Sequence, residues 1–143
     1  MVCLHGFTDT WRTWELVLPA LQHRHAVLAP TLAGHRGGPP LPVASDDALT
    51  DAAEAAMDAA GIETAHLVGN SLGGYREGRR RATELICVNF DHIPQELIAH
   101  QIVGAAGCTA ARPLISYWLE SGWELDAERI ECPVRIVWGA ADA

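Results

Sequence analysis

The segment that most constrains this chain is Ala65-His66-Leu67-Val68-Gly69-Asn70-Ser71-Leu72-Gly73-Gly74. The run His66-Leu67-Val68 reads as a buried parallel strand. It feeds directly into Gly69-x-Ser71-x-Gly73, a sharp turn. Glycines two residues before and after the serine let neighbouring backbone approach without a Cβ clash and tolerate strained geometry. Such a turn lifts the Ser71 hydroxyl to the edge of a sheet, where a base can reach it. A serine alcohol needs that base to attack a carbonyl at neutral pH.

A second apolar run, Met1-Val2-Cys3-Leu4, ends in His5-Gly6-Phe7, and a third, Val134-Arg135-Ile136-Val137-Trp138, ends in Gly139-Ala140-Ala141-Asp142. Between the first two lie helical and loop patterns. Thr8 or Asp9 can cap a helix from about 10 to 22, with Trp11, Trp14, Val17, Leu18 and Leu21 on one face. His25-Ala26-Val27-Leu28-Ala29 reads as a strand stopped by Pro30, and 31–45 as a Gly- and Pro-rich loop. Ser45 or Asp46 caps an alanine-rich helix over about 47–60, which Gly61 terminates. This alternation predicts an α/β fold with strands near 2–5, 25–29 and 65–69 parallel and flanked by helices. Val134–Trp138 is expected to join the same sheet.

Taken together, the three motifs resemble the α/β-hydrolase superfamily, in its serine hydrolase or esterase-like branch, and they occur in that family's order. The resemblance implies that Ser71 is the nucleophile on the elbow. It also implies that the backbone N–H groups of Phe7 and Leu72 form the oxyanion hole, with His5 and Gly6 shaping that corner. Asp142 takes the place of the triad acid, whose role is to orient a histidine; strand-end aspartates are also ordinary turn residues, which is the alternative. Leu32-Ala33-Gly34-His35-Arg36-Gly37 resembles the family's Gly-His-Gly-type loop, with Thr31 standing where an acidic residue is often found. The implied substrate is a small molecule with an ester or related acyl group, and no cofactor is implied. The motif does not separate an esterase from a C–C hydrolase or a haloperoxidase.

Beyond Tyr75 the pattern departs from the family. The helix behind the elbow should be apolar where it meets the sheet, yet the sequence reads Arg76-Glu77-Gly78-Arg79-Arg80-Arg81. Burying three successive arginines costs several kcal/mol each. Either a segment is missing between Tyr75 and Arg76, or Leu85-Ile86-Cys87-Val88 serves as the next strand after a degenerate connection. Nine mostly charged residues are short for a parallel crossover, which needs about a dozen or more. A helix starting at Pro94 and running to about 103, and another over about 109–121, read as lid-like helices through Leu97, Ile98, Ile102, Leu114, Ile115, Trp118 and Leu119. The expected organisation is an N-terminal core part over 1–75, a helical lid-like segment over 76–130, and a late core strand over 131–143.

In the family the catalytic histidine follows the acid, and only Ala143 follows Asp142. The resemblance therefore suggests a truncated chain, and a catalytically inert fragment is the competing expectation. His5 and His35 are expected to be structural, His35 near the pocket rim. His23, His25 and His66 fall at boundaries or the surface, and His92 and His100 in the helical segment. With 49% apolar residues, 143 residues suit one domain. A net charge of −8 argues against nucleic-acid or anionic-membrane partners, and all formal positive side chains are Arg. Cys3, Cys87, Cys108 and Cys132 show no metal-ligand spacing, and Cys3 reads as a buried thiol. No basic leader or membrane-spanning run is evident, so a cytoplasmic, reducing location is expected. Oligomeric state is not legible in these residues.

Overall fold

Strand β1 (Val2–Leu4) is the centre of the sheet in the computed structural model, which describes residues 1–70, 93–122 and 132–135. It pairs in parallel with β2 (Leu67–Gly69) in the register Val2↔Leu67, Cys3↔Val68, Leu4↔Gly69. On its other side a parallel bridge joins Val2 to Leu28. Alternate peptide groups of β1 serve the two neighbours. Val2 N–H donates to His66 O and Leu4 O accepts from Asn70 N–H, while Cys3 N–H donates to Leu28 O and Met1 O accepts from Leu28 N–H.

The strand expected over 25–29 thus shrinks to a bridge. Its next bond in a parallel ladder would run from the N–H of residue 30 to the Cys3 carbonyl, and Pro30 has no N–H to give. At the other end the Met1 ammonium donates to Ala26 O at 2.8 Å. Burial divides the sheet too. Val2 and Cys3 are fully buried, whereas Leu67 is 64% exposed. The buried β2 that the sequence suggests is corrected: β2 forms the edge of the described sheet, and only β1 has a neighbour on each side.

The single helix expected over about 10–22 is two pieces, a 3-10 helix at Trp11–Trp14 and α1 (Leu18–Gln22). Pro19 is the cause. Inside a continuous helix it would lose a hydrogen bond and clash with the preceding turn, but in the first turn of α1 its missing N–H costs nothing. Thr10 caps the 3-10 helix through its side chain. Helix α2 (Asp46–Ala59) begins at Ser45, whose Oγ accepts from Ala48 N–H at 3.1 Å, with Asp46 and Asp47 in its first turn. Gly61, at φ +67°, ends it as expected.

Helices α3 (Gln95–Ala106) and α4 (Ala111–Ser121) agree with their sequence patterns. Each buries only part of its apolar set: Leu97 and Gly104 in α3, Leu114 and Trp118 in α4. Ile102, Ile115 and Leu119 remain exposed. Cys108, Ala110, Leu114 and Trp118 form the core cluster, with Phe7, Leu41, Ala44 and Leu49 packed against it. Val134 and Arg135 lie outside any strand and are exposed; the rest of 134–138 lies outside the described residues.

Candidate active site

Both described strands leave the sheet at the same edge. Because Leu4 pairs with Gly69 and Asn70 N–H reaches the Leu4 carbonyl at 3.1 Å, the chain entering His5-Gly6-Phe7 runs beside the chain entering Ser71. Ser71, Leu72 and Asp142 themselves lie outside the described residues. The His5–Phe7 corner lies within them.

His5 clasps that corner. It is 2% exposed, its Nδ1 lies 2.8 Å from the Gly6 carbonyl, and its Nε2 lies 2.9 Å from Leu32 N. A backbone N–H only donates, so Nε2 accepts and Nδ1 carries the proton. Burial first, then the neighbouring His35, lowers the His5 pKa, against the raising effect of the Gly6 bond and Asp9. The ring is neutral and both nitrogens are engaged, which removes it as a general base. Its work is to tie the exit of β1 to the loop after Pro30.

His35, expected near a pocket rim, is buried instead, at 5% exposure. Its Nδ1 bonds the Ala33 carbonyl at 3.0 Å, and its Nε2 has no partner among the described residues. Burial is the main cause of its lowered pKa. Its ring meets that of His5 edge-on at 4.9 Å and that of Phe7 at 6.2 Å. On its other flank Phe7 meets Trp118 at 5.4 Å, again edge to face. The indole Nε1–H of Trp118 donates to Asp46 Oδ1 at 2.9 Å, fixing α4 to the start of α2. Phe7 is thus held between a loop and a helix, which restrains the peptide to which its N–H belongs.

Thr8 follows at φ +66°, where a β-branched side chain is strained by about 1–3 kcal/mol. Among the described residues it is the only non-glycine with positive φ. Asp9 N–H then closes the turn onto Gly6 O at 3.2 Å. The sequence holds no sign of this strain, nor of the Trp118–Asp46 bond, which joins residues 72 apart. It does single out His5, Gly6 and Phe7 as one unit.

Elsewhere, no group of three or more His, Cys, Asp or Glu able to hold a metal occurs among the described residues. Cys3 and Cys108 are buried free thiols, both pushed up in pKa chiefly by burial. His23, His25 and His66 are exposed, as expected, and no described helix is long and apolar enough to cross a membrane.

The 2-hydroxymuconate semialdehyde hydrolase of Pseudomonas sp. (strain CF600) is 35% identical over 79 residues, which are 52% of this chain and 28% of that protein. No solved structure gives a significant match. The model of the alpha/beta hydrolase family matches residues 1–141. With a parallel sheet, flanking helices and a family match over nearly its whole length, the chain belongs to the alpha/beta hydrolase family.

Proposed function

We propose that this chain carries the nucleophile and oxyanion corner of a serine hydrolase acting on a small ester or related acyl substrate. Ser71 Oγ attacks the carbonyl carbon and passes its proton to a histidine oriented by Asp142. The N–H groups of Phe7 and Leu72 receive the developing oxyanion. As the tetrahedral intermediate collapses, the C–O bond to the leaving alcohol breaks and that alcohol takes the proton. Water then releases the acid from the acyl-enzyme.

One observation carries this reading: the strand ends bearing His5-Gly6-Phe7 and Asn70 run side by side at one edge of the sheet. A preorganised oxyanion hole needs that neighbourhood, because two backbone donors from different strands must converge within about 3 Å of one oxygen. The neutral, fully bonded His5 adds support, since it fixes the corner without placing a charge in it. Membership of a hydrolase family and the name of the Pseudomonas relative point the same way.

The test is p-nitrophenyl acetate turnover by the purified chain beside its Ser71→Ala variant. Weak turnover is the expected result, because no histidine of this chain is assigned as the base; strong turnover lost in Ser71→Ala would make one of its own histidines that base. Strong turnover unchanged by the substitution refutes the nucleophile assignment, and weak turnover unchanged by it favours the inert-fragment reading.

A further inference from the structure

An open cleft of about 420 Å³ is lined by Thr10, Trp11, Thr31, Arg36, Gly37 and His100, and His5 is not among its walls. None of these six residues is acidic, in a chain whose net charge is −8. The hydrogen bonds around it decide what the cleft can receive.

His100 Nδ1 lies 3.3 Å from Arg12 Nη1. A guanidinium only donates, so Nδ1 accepts and the proton sits on Nε2, which donates to Thr10 Oγ1 at 3.0 Å. Thr10 Oγ1 also accepts from Arg12 N–H at 3.3 Å. With both lone pairs engaged, the buried Thr10 hydroxyl has only its hydrogen left to give. Thr31 Oγ1 accepts from Trp11 N–H at 3.3 Å, and its hydrogen is likewise a donor. Arg36 has no hydrogen-bond or ion-pair partner among the described residues, whereas Arg12 is paired with Glu15.

The Arg36 stem is nonetheless held in place. Its Cβ, Cγ and Cδ lie 2.8–3.2 Å from where a Cβ on Gly107 would stand, so the aliphatic chain rests on bare backbone at the end of α3. One guanidinium on a packed stem and two neutral hydroxyl donors therefore belong to residues that line one cleft, beside a Trp11 indole that is 41% exposed.

We propose that this cleft is a binding site for a small organic carboxylate, its oxygens on Arg36, Thr10 and Thr31 and its apolar body against Trp11. A single cation with two neutral donors matches one negative charge, and the planar fork matches a carboxylate's two oxygens. A phosphate dianion would call for a second cation, and Arg12 is already committed to Glu15. The site stands independently of Ser71.

The experiment follows the tryptophan indole N–H resonances of the purified chain during titration with sodium benzoate, benzamide and inorganic phosphate. Loss of a resonance in Trp11→Phe identifies the Trp11 signal. Benzoate should shift that signal saturably with a dissociation constant of about 1 mM, a scale usual for one small-anion contact. Benzamide, the neutral analogue, and phosphate should each bind about tenfold more weakly or less, and Arg36→Gln should weaken benzoate by a similar factor. Thr31→Val, which keeps the shape and removes the donor, should weaken it severalfold. Equal binding of benzamide or phosphate overturns the proposal. So does full benzoate affinity in Arg36→Gln, or the absence of any saturable Trp11 shift.

Discussion

Replacing Gly34 by alanine should be among the most damaging single-methyl changes in this chain. Gly34 sits at φ +73°, where an L residue costs about 1–2 kcal/mol. Its new Cβ would collide with Ala110 Cβ and stand 3.0 Å from Leu41 Cβ. Neither is the end of a flexible side chain, so relief requires moving the backbone that starts α4. That movement threatens two bonds to the Gly34 carbonyl, from Ala110 N–H at 3.0 Å and Thr109 Oγ1 at 3.2 Å. Overpacking of this kind costs about 1–3 kcal/mol and each lost bond about 1. The sum is about 4–7 kcal/mol, a large part of the roughly 5–15 typical of a domain. Gly37→Ala is the control, since Gly37 has φ +87° but nothing within 4 Å of its Cβ position. It should show only the backbone cost. Urea unfolding followed by far-UV circular dichroism should separate the two midpoints by about 1.5–2.5 M, taking a slope of about 2 kcal/mol per M. Equal midpoints would refute the argument that Gly34 is required by the approach of α4.

Three further outcomes are expected. His5 and His35 both have lowered folded pKa values through burial, so the unfolded chain binds more protons as the solution acidifies. Their contribution is complete above the ordinary imidazole value of about 6.5 and is lost below it by up to about 1.4 kcal/mol per pH unit for each ring. Urea midpoints should therefore fall between about pH 7 and pH 5.5 and do so less steeply in His35→Phe; a flat profile rules this out. Trp118→Phe removes the donor to Asp46 and part of the ring against Phe7, for a loss of about 1–3 kcal/mol. A double-mutant cycle with Asp46→Ala should recover a coupling energy, and strict additivity would deny the bond. Ser45→Ala should cost about 0.5–2 kcal/mol through the lost cap on Ala48 N–H, and Ser45→Asp should restore most of it in the same unfolding assay.

The features legible in the sequence are local, and those that are not depend on distant partners. The apolar run ending at His5 and the one ending at Gly69 predict parallel strands, and they pair as such. The Ser45 cap and the Gly61 stop are written within a few residues of the helix they bound, and both hold. Pro19 and Pro30 are equally visible, but each does more than the apolar periodicity around it allows for. The first divides a helix, and the second removes the one N–H that would extend pairing beyond Leu28. Burial is the least readable property. The apolar pattern gives Leu67 and Leu119 the look of core residues, yet both are exposed, while His35 lies inside. Burial belongs to the partners, and the sequence does not say that Phe7, itself packed on Trp118, will meet a buried imidazole.

The loop between Gly34 and Gly37 carries residues of both the corner and the cleft. Both glycines have positive φ, and the two residues between them serve opposite environments: His35 is buried against His5 and Phe7, and Arg36 is exposed at the carboxylate cleft. Each side chain is braced by a different part of the helical segment. His35 lies next to the Phe7 ring that packs on Trp118 of α4, whereas the Arg36 stem rests on Gly107 at the end of α3. A Cβ at Gly107 would press on the arginine stem, whereas a Cβ at Gly34 would press on Ala110 and Leu41. The corner and the cleft thus lean on different helix ends although their residues are neighbours in the chain. Substitutions at Gly107 should alter carboxylate binding with little change in stability, and those at Gly34 should unfold the support behind Phe7.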